Sequence, residues 1–186
     1  MSFAAHETDF TCKLECCRCE AETKTGGRCK RRTKKQLPYC YEHTRSLLHV
    51  DIRPSTIPGA GKGLFALQEF NSGDLVVPYK GEVITKAQMD ERYSDGLAPF
   101  ALQINKNTYI DSACQRGTAS FINTNPKHNN ARFSVYSGRS GHPPGATVRA
   151  TKKIPVDAEI FVDYGEDTPK FLPKKVKGSG AAATKA

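Results

Sequence analysis

Tryptophan is absent from this chain of 186 residues. No apolar run exceeds a few residues, far short of the ~20 that a membrane-spanning helix needs. The opening stretch MSFAAHETDF has neither a basic flank nor a long apolar segment, so no secretory signal is expected. Acidic residues are missing between 168 and 186, and cysteine is missing after Cys114. Between residues 51 and 167 the only histidines are His128 and His142, both in loop-like sequence. No phosphate loop, His-Glu-x-x-His helix or Gly-x-Ser-x-Gly elbow occurs, so hydrolysis by a histidine-based triad finds no support.

The charge that is present is unevenly placed. Residues 1–50 carry ten Lys/Arg against six Asp/Glu, residues 51–167 thirteen against thirteen, and residues 168–186 five against none, which sums to +9. A balanced globular middle thus lies between two basic ends. Such ends suit nucleic acid, anionic surfaces or acidic protein patches, and equally serve as solubilising tails. The expected organisation is a Cys-rich basic segment over 1–48, a folded domain over 49–167 and a basic tail over 168–186.

Six of the seven cysteines fall between Cys12 and Cys40. With an odd total and no secretory signal, a metal site is expected in preference to a disulfide framework. Cys19-x9-Cys29-x10-Cys40-x2-His43 supplies three thiolates and an imidazole, the ligand set that tetrahedral zinc takes. The short Cys40–His43 step presents two ligands from one turn, and Gly26-Gly27 bends the chain before Cys29. So short a segment builds little core, and metal would supply its folding energy. The alternative is a reduced, unstructured Cys-rich arm. Cys12, Cys16 and Cys17 are left open between a second site, a substitute for Cys19, and free thiols. Lys30, Arg31, Arg32, Lys34 and Lys35 form a basic run suited to phosphates or to nuclear import, or simply to solvent.

From Val50 onward, short apolar runs alternate with Gly, Pro, Asn and Asp clusters. Strands are predicted over 64–67, 74–79, 81–84, 100–104, 108–111, 131–136, 146–150 and 159–164. One helix is predicted after the capping box Thr85-x-x-Gln88. Residues 71–73 and 105–107 read as turns.

Four stretches in this mostly β domain resemble, in order, the motifs of the SET domain, the lysine methyltransferase fold. Pro58-Gly-Ala-Gly-Lys-Gly-Leu-Phe-Ala66 resembles its Gly-rich opening, and Tyr79-Lys-Gly-Glu-Val83 its Tyr-x-Gly-Glu pair. Tyr109-Ile-Asp111 with Ser120-Phe-Ile-Asn123 is similar to its Tyr-Ile-Asp and Phe-Ile-Asn segments. Ala158-Glu-Ile-Phe-Val-Asp-Tyr-Gly165 is similar to its closing motif. The resemblance implies a fold of short strands with a C-terminal pseudoknot, and S-adenosyl-L-methionine as cofactor. It implies cofactor contacts from Gly61, Lys62, Gly63, Leu64, Asn123, Thr124 and Asn130. Tyr164 matches the catalytic tyrosine, while Tyr109, Val162 and Phe171 fall on the substrate channel. Val162 stands where the family often has Phe or Tyr, which suggests multiple methylation. The family's Asn-His-Ser-Cys-x-Pro-Asn is altered here to Asn123-Thr-Asn-Pro-Lys-His-Asn-Asn130. Its Cys cluster after the domain is missing.

Two functions follow as expectations. One is a protein-lysine N-methyltransferase acting on histone tails in the nucleus, with Zn2+ in the arm and DNA as a further partner of the basic loop. The other is a catalytically inactive SET-like module that binds protein or chromatin.

Overall fold

The computed structural model describes residues 12, 16–33, 37–93, 98–138 and 142–165. The predicted tail over 168–186, with Phe171, lies outside them.

Residues 16–33 fold back on themselves as an irregular hairpin. Arg18 bridges Arg32 and Glu22 bridges Arg28, and the turn closes at Gly26, whose φ of +82° suits glycine. Two arginines staple it crosswise: Arg18 donates to the Cys29 and Arg28 carbonyls, Arg28 to those of Cys19 and Arg18. Helix α1 (Tyr41–Leu48) follows and ends on His49 in the left-handed region.

The rest is three small antiparallel sheets. β1 (Val50–Pro54), β2 (Lys62–Ala66) and β9 (Glu159–Ile160) form the first, with β2 central. β3 (Leu75–Tyr79), β8 (Gly145–Ala150) and β7 (Ala131–Tyr136) form the second, with β8 central. β4 (Glu82–Thr85), β6 (Thr108–Asp111) and β5 (Ala101–Asn105) form the third, with β6 central. Pro78 falls on β3, an edge strand, where a missing N–H costs no ladder bond. Helix α2 (Lys86–Arg92) starts at the predicted capping box: Thr85 Oγ1 accepts from the Gln88 backbone, and the Gln88 side chain accepts from the Thr85 backbone. One apolar core joins the sheets through Leu64, Val77, Ile110, Ile122, Val148, Ile160 and Val162.

The predicted strand over 159–164 is cut short, for a topological reason. After Ile160 the chain leaves β2 and lies between two earlier segments, bridged in parallel to Asn123 through Phe161 and to Ala131 through Val162. The Val162 N–H donates to the Asn123 carbonyl at 3.1 Å, and the Asn130 and Ala131 N–H groups donate to Phe161. The C-terminal segment therefore passes between the two sides of the 123–131 excursion, the lacing expected of a pseudoknot.

Candidate functional site: a tyrosine pocket and a Cys3His centre

The lacing decides what meets what. Tyr164 follows the laced segment directly, and its hydroxyl donates to the Ile122 carbonyl. Tyr164 as a residue keeps 37% of its surface accessible, yet loss of water around the phenol pushes its pKa up to about 12. The hydroxyl is therefore a neutral donor through the physiological range. Burial raises the Tyr79 phenol, and the charge of a Tyr164 phenolate would add to that rise. The Tyr79 hydroxyl donates to the Phe100 carbonyl at 2.8 Å. Behind them lies a buried polar cluster. Tyr93 and Arg92 both donate to Asp111, at 2.9 and 3.1 Å, and Arg92 also reaches Glu82 at 2.8 Å. Burial drives the Tyr79 and Tyr93 phenols upward too. Arg116 stacks 4.0 Å over the Phe100 ring.

Asn123 joins this pocket to the Gly-rich turn. Its Nδ2 lies 3.0 Å from the Lys62 carbonyl, 3.1 Å from Ser55 Oγ and 3.1 Å from Glu159 Oε1. Glu159 is buried and also accepts from Ser55 Oγ, Thr56 N and Thr56 Oγ1 at 2.5–2.7 Å. On the β9 side, pairing of β2 starts only at Leu64, so side chains from Asn123 and Glu159 occupy the edge at 62–63. Gly61 has a φ of +77°, and an added Cβ would meet nothing within 4 Å, so open space adjoins the turn. An open glycine turn beside an amide and backbone carbonyls fits a ligand with its own polar groups.

The sequence-derived residues separate into groups. Gly61, Lys62, Asn123 and Tyr164 converge, and Thr124 is half-buried next to Asn123. Gly63 has a local reason for lacking a side chain, since a Cβ there would sit 2.1 Å from Glu159 Oε1. Leu64 is wholly buried in the core and paired on both sides, to Ile52 and Ile160. Asn130 directs both polar atoms of its amide at the laced strand, donating to the Glu159 carbonyl and accepting from the Phe161 N–H at 2.9 Å each. Val162 is fully buried in the core. Tyr109 lies on β6 opposite Ile84 and Gln103, near Lys86. Sequence reading missed Tyr93, Asp111, Ser112 and Arg116 as neighbours of the tyrosine pocket. A single buried acid, Asp111, gathering Arg92 and Tyr93 was signalled only by the Asp that ends Tyr-Ile-Asp.

In the arm, Cys19, Cys29, Cys40 and His43 bring one ligand atom each within 4.8 Å of one another. His43 Nδ1 lies 3.4 Å from Cys19 Sγ and 3.3 Å from Cys40 Sγ. A zinc–sulfur bond of ~2.3 Å implies edges of about 3.5–3.8 Å in a tetrahedron, so the spacing fits a tetrahedral metal. Burial opposes the Cys19 thiolate, but N–H groups of Cys40 and Ala21 outweigh it and hold the thiol below its usual value. Cys12 is bonded to Cys114, which takes Cys12 out of the options left open for it, a second metal site, a substitute for Cys19 or a free thiol, and shows one disulfide where none was expected. The spacing gave no sign of a bond across 102 residues. Cys16 and Cys17 are free and exposed. The basic run is in part structural: Arg32 donates to the Cys16 carbonyl and Arg31 pairs with Glu42 at 3.4 Å.

Among the described residues no helix is long and apolar enough to cross a membrane. Residues 61–165 match the family model described as "SET domain". The trithorax histone-lysine N-methyltransferase of Drosophila virilis is 32% identical over 56% of this chain and 3% of its own length. The histone-lysine N-methyltransferase EZH2 of Chaetomium thermophilum is 26% identical over 70% of this chain and 9% of its own. The chain therefore spans only a small part of these relatives. A Chaetomium Polycomb Repressive Complex 2 structure bound to S-adenosylmethionine superposes with a TM-score of 0.52, at 22% identity, over 64% of this chain and 15% of that one. A second, in complex with H3K27me3 and H3K27M, gives 0.55 at 21% identity over 66% and 15%. With its motifs, its laced C-terminal strand and a model match over more than half its length, the chain belongs to the SET-domain family.

Proposed function

We propose that this protein is an S-adenosyl-L-methionine-dependent protein-lysine N-methyltransferase of chromatin, with histone tails as substrate and zinc in its arm. The observation that carries the reading is the convergence of Tyr164, Ile122 and Asn123. One joint holds the tyrosine hydroxyl on one side and the glycine turn on the other.

The cofactor supplies an electrophilic methyl on a sulfonium. Gly61, the Lys62 carbonyl and Asn123 would hold it, with Thr124 beside them. Tyr164, kept neutral, orients rather than deprotonates: a phenol with a pKa of about 12 is no base at neutral pH. A substrate lysine arrives as ammonium, with an ordinary pKa of ~10.4. Desolvation between Tyr79 and Tyr164 favours its neutral form, and alignment of amine and methyl lowers the barrier. Val162, two positions before Tyr164, carries no hydroxyl and is buried in the core behind the proposed channel, which is compatible with di- and trimethyl products in this reading. Tyr109, on β6, is proposed for the same channel; Phe171, the other channel residue implied by the resemblance, lies outside the described residues.

Cys19, Cys29, Cys40 and His43 would bind Zn2+ as a structural site, with every position filled by protein. A nuclear location accompanies the chromatin substrate. DNA contact through the arm has weaker support, because Arg18, Arg28 and Arg32 are engaged with backbone carbonyls.

The test is transfer of labelled methyl to a histone panel, with cofactor binding followed by calorimetry. Transfer with measurable binding supports the enzyme. The absence of both would favour the alternative, an inactive SET-like module that binds protein or chromatin.

A further inference from the structure

The seven cysteines divide three ways: three in the Cys3His cluster, two exposed and free, and two joined as Cys12–Cys114. The joined pair connects the N-terminal arm to the 112–117 loop, at the edge of the tyrosine pocket. That loop is packed on one corner of the domain. Ser112 Oγ donates to the Lys80 carbonyl, and a Cβ on Gly117 would come within 2.9 Å of the Lys80 Cβ. Tyr79, the second phenol of the site, directly precedes Lys80. Arg116, two residues after Cys114, stacks on Phe100, whose carbonyl holds the Tyr79 hydroxyl. The loop then runs into Ile122, the acceptor for Tyr164.

Among the described residues, the noncovalent links between arm and corner are weak ones. Lys80 pairs with Glu20 at 3.3 Å with both side chains about half exposed, and its ammonium lies 6.0 Å from the Tyr39 ring. Exposed pairs of this kind contribute little. Among the described residues, the covalent bond is the firm tie between the N-terminal end of the arm and this corner, while α1 ties the other end to β1 through Arg45 and Asp51. Cys12 and Cys114 are both half-buried residues rather than sealed in the core. In a compartment buffered by glutathione a bond of this kind opens and closes, and such disulfides usually sense redox state.

We propose that Cys12–Cys114 is a redox latch: closed, it holds the 112–122 segment in the geometry that the tyrosine pocket needs, and reduced, it releases that segment and slows methyl transfer. The activity half of this statement rests on the methyltransferase reading above. Closure balances as two protein thiols plus one small-molecule disulfide such as oxidised glutathione. The Cys12–Cys114 bond forms, the glutathione disulfide bond breaks, and both protons leave on the two glutathione thiols.

The experiment equilibrates the zinc-loaded full chain across a series of reduced-to-oxidised glutathione ratios. Alkylation and peptide mass mapping report the cysteine pairing. Hydrogen exchange reports the 112–122 amides, and labelled methyl transfer reports activity. The expected result is one transition in which Cys12 and Cys114 pair, amide protection in 112–122 rises about tenfold, and transfer rises severalfold with the same midpoint. Cys12→Ser and Cys114→Ala should each abolish the response, while Cys16→Ser should leave it intact. The latch is overturned if the two cysteines stay as thiols at every ratio or pair with Cys16 or Cys17. It is equally overturned if they pair without any change in 112–122 exchange. A chain that transfers no methyl under any condition would defeat the enzyme reading, while the exchange data would still decide the latch.

Discussion

Asn130 is where the family resemblance and the geometry make different predictions. The resemblance puts it among the cofactor contacts, whereas the structure gives its whole amide to the laced strand. Replacing it with alanine strips a donor from the Glu159 carbonyl and an acceptor from the Phe161 N–H. Both residues are buried, with 5% and 7% of their surface exposed, so water cannot easily take the place of the amide. A buried polar group left without a partner costs ~1–3 kcal/mol. Two such groups, partly relieved by local adjustment, give about 3 kcal/mol in total. For a chain of this size each kcal/mol moves the melting temperature by ~2–4 °C, so Asn130→Ala should melt about 6–12 °C lower. Asn130→Asp should fall between, since a carboxylate still accepts from Phe161 but repels the Glu159 carbonyl. The assay is thermal melting by circular dichroism, with cofactor calorimetry on the folded protein at low temperature. The expected outcome is a large loss of stability with cofactor affinity little changed. Asn130→Ala melting with the wild type while losing cofactor affinity would refute the reasoning.

Two further predictions follow from the arm and the phenols. Chelation of zinc should unfold residues 16–48 while leaving the three sheets intact, because Cys19, Ala21, Cys29 and Cys40 form a core separate from the main one; released metal read by a colorimetric chelator, beside hydrogen exchange, checks this, and concerted loss of both cores would contradict it. Tyr164 ionises at about 12 in the fold against ~10 when unfolded, so the neutral form is favoured by folding. That stabilisation is full below about pH 10 and is lost as the pH rises toward 12, with Tyr79 and Tyr93 shifted the same way. Ultraviolet titration should show three late tyrosines alongside falling stability over this range, and Tyr164 ionising at about its unfolded value would contradict it.

Much of the fold was legible because it is written in local pattern. The Thr85/Gln88 capping box is present with both of its reciprocal bonds, and the Asn105–Asn107 turn closes through the Asn105 side chain at 3.0 Å. All eight predicted strand regions contain a strand. Helix α1 was missed because its residues read first as metal ligands and polar sequence. β1 was missed because VDIRP carries two charges, one of them the buried Asp51, which pairs with Arg45. The site was only half legible, because motif residues do not announce what they touch. Asn123 and Asn130 look alike in sequence; one faces the glycine turn and the other clamps a strand. Gly63 reads as room for a ligand, yet its neighbour is Glu159. The Cys12–Cys114 bond left no local trace, because it depends on where the arm docks.

The central claim is that a positioned, neutral Tyr164 assists methyl transfer to lysine. It is tested most directly by comparing Tyr164→Phe with the wild type in labelled transfer, with cofactor affinity measured on both. The account expects transfer to fall by about 10²-fold or more, the scale of a lost positioning group, while cofactor affinity stays near wild type and the melting temperature falls by a few degrees at most, since the Ile122 carbonyl loses one donor. Undiminished transfer in Tyr164→Phe would contradict it.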